Sequence, residues 1–184
     1  MFTRIAAAAA ASLGIAALAV APAAAASSTS AVTVAVTAST QATIGATYSS
    51  GSNVACAVGT SISGIVSCGT TVTLAGTFRS TKSTGGASVS LTGATITGSG
   101  GATIAPSALY MTCTGGLTGS PTYAGTAGSL ASGLALSTSP TTCMSWTGTV
   151  VSAYSLLVSL GIDASQVPAD TYTNGSFTAT ATAS

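Results

Sequence analysis

The chain lacks most of the side chains on which enzymes rely. Its 184 residues include no histidine and no glutamate, and only 3% of them are charged. General acid–base catalysis and nucleophilic catalysis both need groups that titrate or that activate a neighbour. We therefore predict that the protein is not an enzyme, that it has no catalytic residues, metal ligands or cofactor, and that it has no small-molecule substrate.

The few charges are also balanced. Beyond the first 26 residues the charged side chains are Arg79, Lys82, Asp163 and Asp170, so the net charge of that part is two positive minus two negative, or zero. Nucleic acid is excluded as a partner, because phosphate groups are bound by clustered Lys and Arg. A neutral chain also lacks the repulsion that keeps small domains apart, which fits self-association. The alternative is that Ser and Thr hydroxyls hydrate the surface instead of charges.

The first residues have the pattern of an export signal. Arg4 gives a positive start, an apolar run "IAAAAAASLGIAALAV" follows, and Ala24 and Ala26 have the small-residue spacing that a signal peptidase accepts. We predict a signal peptide over 1–26, cleavage before Ser27, and a secreted protein found outside the cell or at its surface. The alternative is a retained membrane anchor.

Alternating β-branched residues dominate the rest of the chain. Val, Ile and Thr recur at every second position in short runs, as in strands with one buried face. Turns rich in Gly, Pro, Ser and Asn separate the runs. This density of short strands predicts an all-β fold, an immunoglobulin-like antiparallel β-sandwich. The predicted strands are "AVTVAVTA", "QATIGATY", "SISGIVSC", "TVTLAGTF", "ASVSLTGATIT", "SALYMTC", "YSLLVSLGI" and "GSFTATATA".

Two stretches allow more than one interpretation. The segment "TVVSAYSLLVSL" matches both a helical stripe and strand alternation, and we interpret it as a strand. Trp146 is the only tryptophan, and we expect it to pack in the core or to cap one end of it. The alternative for Trp146 is an exposed ring that stacks on carbohydrate.

Four cysteines in an exported chain predict two disulfides. Three pairings are possible, and adjacency along an antiparallel meander favours Cys56 with Cys68 and Cys113 with Cys143. A zinc site is the competing interpretation. It is disfavoured because the chain has no C-x-x-C pair and no histidine.

The C-terminal stretch "VPADTYTNGSFTATATAS" places a Pro-bearing turn, with Asp170 and Tyr172, before one alternating strand. This is the order found before strand F of an immunoglobulin-type sandwich, where a tyrosine hydroxyl bonds back to the turn. The twelve residues after Tyr172 suffice for strand F but not for a further turn and a strand G. An incomplete sandwich of this kind exposes an apolar groove with unpaired backbone groups, which another strand must cover.

The early strand "AVTVAVTA" is the expected cover for this groove. Val32, Val34, Val36 and Ala38 would share one face of it. The strand could fold back onto its own chain or add to a neighbouring copy, and the second contact, repeated head to tail, generates a filament. We therefore divide the chain into a signal peptide (1–26), a donor-strand extension (27–40) and a β-sandwich domain (41–184).

The C-terminal stretch resembles the signature of spore coat protein U-like domains and archaic chaperone–usher pilus subunits. The resemblance covers about the last eighteen residues. It implies that Val32, Val34 and Val36 are donor residues that complete the next subunit, and that the partners are copies of the same chain. It also allows for a periplasmic chaperone as a further partner.

The sequence thus favours a structural subunit of an extracellular or cell-surface fibre, pilus-like and assembled by donor-strand complementation. The first alternative is a monomeric secreted β-sandwich binding module, in which the early strand pairs within its own chain. The second alternative is an outer-membrane β-barrel, since alternating strands can also face lipid on one side.

Overall fold

The computed structural model describes residues 29–38, 41–51, 53–61, 63–116, 121–123, 129–173 and 175–184. The predicted signal peptide (1–26) and its cleavage point before Ser27 lie outside the described residues.

The described residues form an all-β fold, as predicted. Three short 3₁₀ turns, Pro106–Ala108, Leu130–Ser132 and Ala164–Gln166, interrupt the strands. In chain order the strands are β1 (Thr29–Ala38), β2 (Gly45–Tyr48), β3 (Val54–Ala57), β4 (Ile65–Ser67), β5 (Val72–Ser80), β6 (Gly86–Gly93), β7 (Ile96–Thr97), β8 (Thr103–Ile104), β9 (Leu109–Gly116), β10 (Thr122–Tyr123), β11 (Leu134–Ala135), β12 (Thr141–Thr147), β13 (Val150–Asp163) and β14 (Gly175–Ala183).

Two sheets make up the sandwich, which confirms the predicted architecture. The first has the strand order β10-β12-β6-β14-β1-β3, and the second has the order β11-β9-β13-β5-β2, with β4 also paired to β13. A small hairpin, β7–β8, lies outside both sheets. Among the described strands, β1 and β14 are the one parallel pair, and the other pairings are antiparallel.

The core lies between the sheets and follows the predicted period of two. On the long strand β13, Tyr154, Leu156 and Val158 are buried and the residues between them are exposed, so the ambiguous segment is a strand. The ring of Tyr154 stacks on Phe78 of β5 with centroids 4.3 Å apart. On the facing sheet, β14 buries Phe177, Ala179 and Ala181. Alternation therefore places one side of each central strand in the core.

Strands β3 and β12 lie in stretches that the sequence did not predict to be strands. In β12 the consecutive residues Cys143 and Met144 are both fully buried, because the pairing with β6 shifts register between Thr142 and Met144. A bulge of this kind breaks the period of two. Strand β3 has only four residues, too few for alternation to stand out.

Candidate functional site: the N-terminal strand and the strand it covers

Strand β1 lies between β14 and β3 of its own chain. Its pairing with β14 aligns Val34 with Phe177, Val36 with Ala179, and Ala38 with Ala181. The edge of β14 that faces away from β6 is thereby covered by the segment that the sequence predicts to be the donor strand. Thus β1 occupies the position beside the last strand of the domain, within a single chain.

The burial of β1 falls along its length. Val32 is only 1% exposed, Val34 is half-buried, and Val36 is 40% exposed. The predicted donor residues Val32, Val34 and Val36 therefore lie on one strand but differ in burial. Strand β1 is therefore anchored in the core at Val32 and becomes more exposed toward Val36.

The outer edge of β1 is covered over part of its length. Strand β3 pairs with Thr29–Val32. Beyond that point the backbone N–H of Val34 donates a hydrogen bond of 2.9 Å to the hydroxyl of Tyr48, which lies on β2 of the opposite sheet. A buried strand edge with unpaired N–H groups is unfavourable, so a side chain here supplies the partner that β3 does not.

The chain passes from one sheet to the other directly after β1. Gln41 already lies beside β5, because its carbonyl accepts a 2.8 Å hydrogen bond from the N–H of Arg79. The carbonyl of Thr43 accepts a further bond of 2.9 Å from the Tyr154 hydroxyl. A Cβ on Gly76 would collide with that carbonyl, so only glycine lets the segment pass this close. The segment that follows the C-terminal end of β1 is therefore bonded to the second sheet.

The turn before β14 is held by the two residues predicted for it. The hydroxyl of the fully buried Tyr172 donates a 3.0 Å hydrogen bond to the carbonyl of Pro168. Asp170 reaches the β7–β8 turn, where its carboxylate accepts bonds from the N–H groups of Gly100 and Ala102. These bonds, those from Gly100 first, lower the pKa of Asp170, and burial raises the pKa of Tyr172.

Two disulfides tie the sheets together. Cys56 on β3 is bonded to Cys68, which follows β4, and Cys113 on β9 is bonded to Cys143 on β12. This is the pairing that adjacency along the chain favours. Each bond joins a strand of the first sheet to the second sheet, one near β1 and one on the far side of β14. Disulfides persist where conditions are oxidising, so they indicate an extracytoplasmic environment.

The described part of the chain contains neither a cluster of metal ligands nor a membrane-spanning helix. The His, Cys, Asp and Glu residues there form no group of three or more that could hold a metal. Within the described ranges, no helix has the length and apolarity needed to cross a membrane. Trp146 is half-buried against the core, and it lines a shallow pocket of about 300 Å³ with neighbouring residues of β6 and β14.

Sequence reasoning missed three components of this site. The first is β3, the second neighbour of β1, and the second is Tyr48, which bonds β1 from the opposite sheet. The third is Gly100, the partner of Asp170. A bulky aromatic at the end of a predicted strand is the signal that could have drawn attention to Tyr48, since buried tyrosines usually find a partner for the hydroxyl. The pairing of Gly100 with Asp170 spans 70 residues and leaves no local signal.

Comparison of this chain with protein-family models, with curated proteins and with solved structures finds no match.

Proposed function

We propose that the protein is an exported, non-catalytic structural subunit that joins copies of itself into a fibre by passing β1 to the next copy. The observation that carries the proposal is the position of β1. It is the first strand of the described chain, it pairs with β14, and it is buried at Val32 but 40% exposed at Val36. Exchange of such an element between identical chains is a low-cost route to association.

The parallel direction of β1 follows from its connection. From Ala38 to Gln41 the chain can span about 11 Å at most, whereas a strand of 10 residues is about 33 Å long. Because Gln41 is fixed beside β5, a reversed β1 would put its end out of reach of its own chain. A strand from a neighbouring copy is free of this limit. It can run antiparallel to β14, a pairing slightly more stable per residue than the parallel one.

The charge balance supports the same proposal. The sandwich carries two positive and two negative side chains, so copies approach without net repulsion. A head-to-tail contact between a strand and a groove uses two different surfaces, and such a contact produces an open filament rather than a closed dimer. The neighbours in the fibre would be copies of this chain, and a periplasmic chaperone remains a proposed partner during export.

A covalent lock on β1 tests the proposal. Thr37 and Thr180 are aligned across β1 and β14, with their Oγ1 atoms 3.0 Å apart, so T37C/T180C would hold β1 in its own chain. The control S88C/T182C joins β6 to β14, where the hydroxyl oxygens are 2.8 Å apart. We expect the unmodified chain and the control to form fibres at micromolar concentration, as seen by sedimentation and electron microscopy, and the T37C/T180C variant to remain monomeric. Fibres of the T37C/T180C variant as abundant as those of the control would refute strand exchange.

A monomeric secreted binding module is the second candidate. It is favoured by the pairing of β1 on both sides within one chain and by the 1% exposure of Val32. In that case the unmodified chain, the locked variant and the control would all sediment as monomers.

A further inference from the structure

Tyr48 is placed to control whether β1 stays in its own chain. Its hydroxyl accepts the backbone N–H of Val34 at 2.9 Å. Val34 lies just beyond Val32, the last residue of β1 that pairs with β3. The bond therefore lies between the buried Val32 and the exposed Val36. Val34 is also aligned with Phe177, in the middle of the contact with β14.

The backbone at Tyr48 and Ser49 is paired with Val72 of β5 and with Thr71 before it, which limits the movement of the Tyr48 hydroxyl. Tyr48 is aligned with Val72 in the pairing of β2 with β5. The next residue, Ser49, donates its N–H to the carbonyl of Thr71 at 3.0 Å and accepts the N–H of Thr71 on its hydroxyl at 3.0 Å. The aromatic body of Tyr48 packs against the core. A donor or acceptor held in this way acts without the entropy loss of ordering a mobile side chain.

We propose that the Tyr48 hydroxyl is a latch that holds β1 in its own chain and slows its release. The bond crosses from the second sheet to the first, so it does not belong to the ladder that a replacing strand would take over. Releasing β1 breaks this bond together with the pairing to β14 and β3. A strand entering from a second copy must therefore displace this bond as well as the strand pairing.

The proposal is tested first on the single chain, independently of fibre formation. Tyr48→Phe removes the hydroxyl and keeps the ring. Tyr123→Phe is the matched control, because the Tyr123 hydroxyl also bonds a backbone group, the carbonyl of Gly115, at 2.9 Å but at the other end of the first sheet. By hydrogen exchange of the disulfide-bonded monomer, we expect the β1 amides of Tyr48→Phe to exchange about fivefold faster, the effect of losing one hydrogen bond. The Tyr123→Phe variant should leave the β1 amides unchanged. Equal β1 exchange in both variants would overturn the latch.

A second measurement separates the latch from the fibre proposal on which its biological role rests. The rate of assembly is compared for the unmodified chain, Tyr48→Phe and Tyr123→Phe. Faster assembly of Tyr48→Phe alone supports both the latch and strand exchange. Faster β1 exchange in Tyr48→Phe, with all three chains remaining monomeric, supports the latch and refutes the fibre. Normal assembly of all three chains with unchanged β1 exchange refutes the latch and leaves the fibre proposal standing.

Discussion

The carboxylate of Asp170 accepts the backbone N–H of Gly100 with both oxygens, at 2.9 Å to Oδ1 and 3.0 Å to Oδ2. A Cβ on Gly100 would lie 3.0 Å from Oδ2, so glycine permits the close approach. The same carboxylate accepts the N–H of Ala102 at 3.1 Å and of Thr171 at 2.7 Å. One side chain thus joins the β7–β8 turn to the turn that leads into β14.

Asp170 should make the stability of the domain sensitive to acid. The folded pKa of Asp170 is lowered, first by the bond from Gly100, so the unfolded chain binds the proton more readily. The contribution of this carboxylate is therefore complete above its ordinary pKa of 3.8 and is lost as the pH falls through the lower folded value. We expect Asp170→Asn to be less stable at neutral pH and to lose less free energy of unfolding between neutral pH and about pH 3, measured by urea denaturation.

Asp163→Asn is the matched control for acid sensitivity. Its pKa is also lowered, first by the side chain of Gln166, but it lies at a different turn. The acid sensitivity that remains in this variant should be that of Asp170, and the double variant should lose both contributions. An unchanged pH profile in Asp170→Asn would contradict the role assigned to the carboxylate.

The two ends of β1 should differ in their contribution to stability. Val32 is 1% exposed and Val36 is 40% exposed. Truncating a buried valine to alanine removes two methyl groups, so Val32→Ala should lower the free energy of unfolding of the monomer by about 2 kcal/mol. Val36→Ala should lower it by less than about 0.5 kcal/mol. Equal losses of unfolding free energy in the two variants would show that Val32 does not anchor β1.

The two disulfides should be unequal in the stability they provide. The bond Cys56–Cys68 has a sequence separation of 12 and Cys113–Cys143 one of 30. On the chain-entropy account, removing them as C56A/C68A and C113A/C143A should cost about 3 and about 3.5 kcal/mol. Only the first double variant should speed the hydrogen exchange of β1, because Cys56 lies on β3. Faster β1 exchange in both variants would mean that β3 does not specifically support β1.

Gly76→Ala should release the segment that follows β1. The added Cβ would press on the carbonyl of Thr43 and lie 3.0 Å from the Tyr154 hydroxyl, which breaks the bond between them. Overpacking of this kind costs about 2 kcal/mol. Gly69→Ala is the control, since a Cβ there meets nothing within 4 Å and should change the free energy of unfolding by less than about 0.5 kcal/mol. Similar midpoints for the two variants in urea would refute the crowding.

Local patterns in the sequence were sufficient for the long strands and for the all-β class. The alternation of β5, β13 and β14 is strong because each strand has one face in the core, and a run of that length is readable without its neighbours. The turn with Asp170 and Tyr172 was also visible, since Tyr172 bonds only four residues back, to Pro168.

The remaining features depend on contacts that no local pattern encodes. The bulge in β12 puts Cys143 and Met144 on the same side, so the strand does not alternate. The partners Tyr48 and Val34 lie on opposite sheets, and Gly100 and Asp170 are 70 residues apart. The parallel direction of β1 results from the fixed position of Gln41 beside β5, which the sequence alone does not reveal.

The arrangement of the disulfides has a mechanical consequence. Both Cys56–Cys68 and Cys113–Cys143 cross from sheet to sheet, and neither includes a residue of β1. If β1 leaves its position beside β14, the two sheets therefore remain linked by a disulfide on each side of that position. In the proposed fibre, tension transmitted through β1 would then extend the junction between copies, while the two sheets of each copy stay linked by the disulfides.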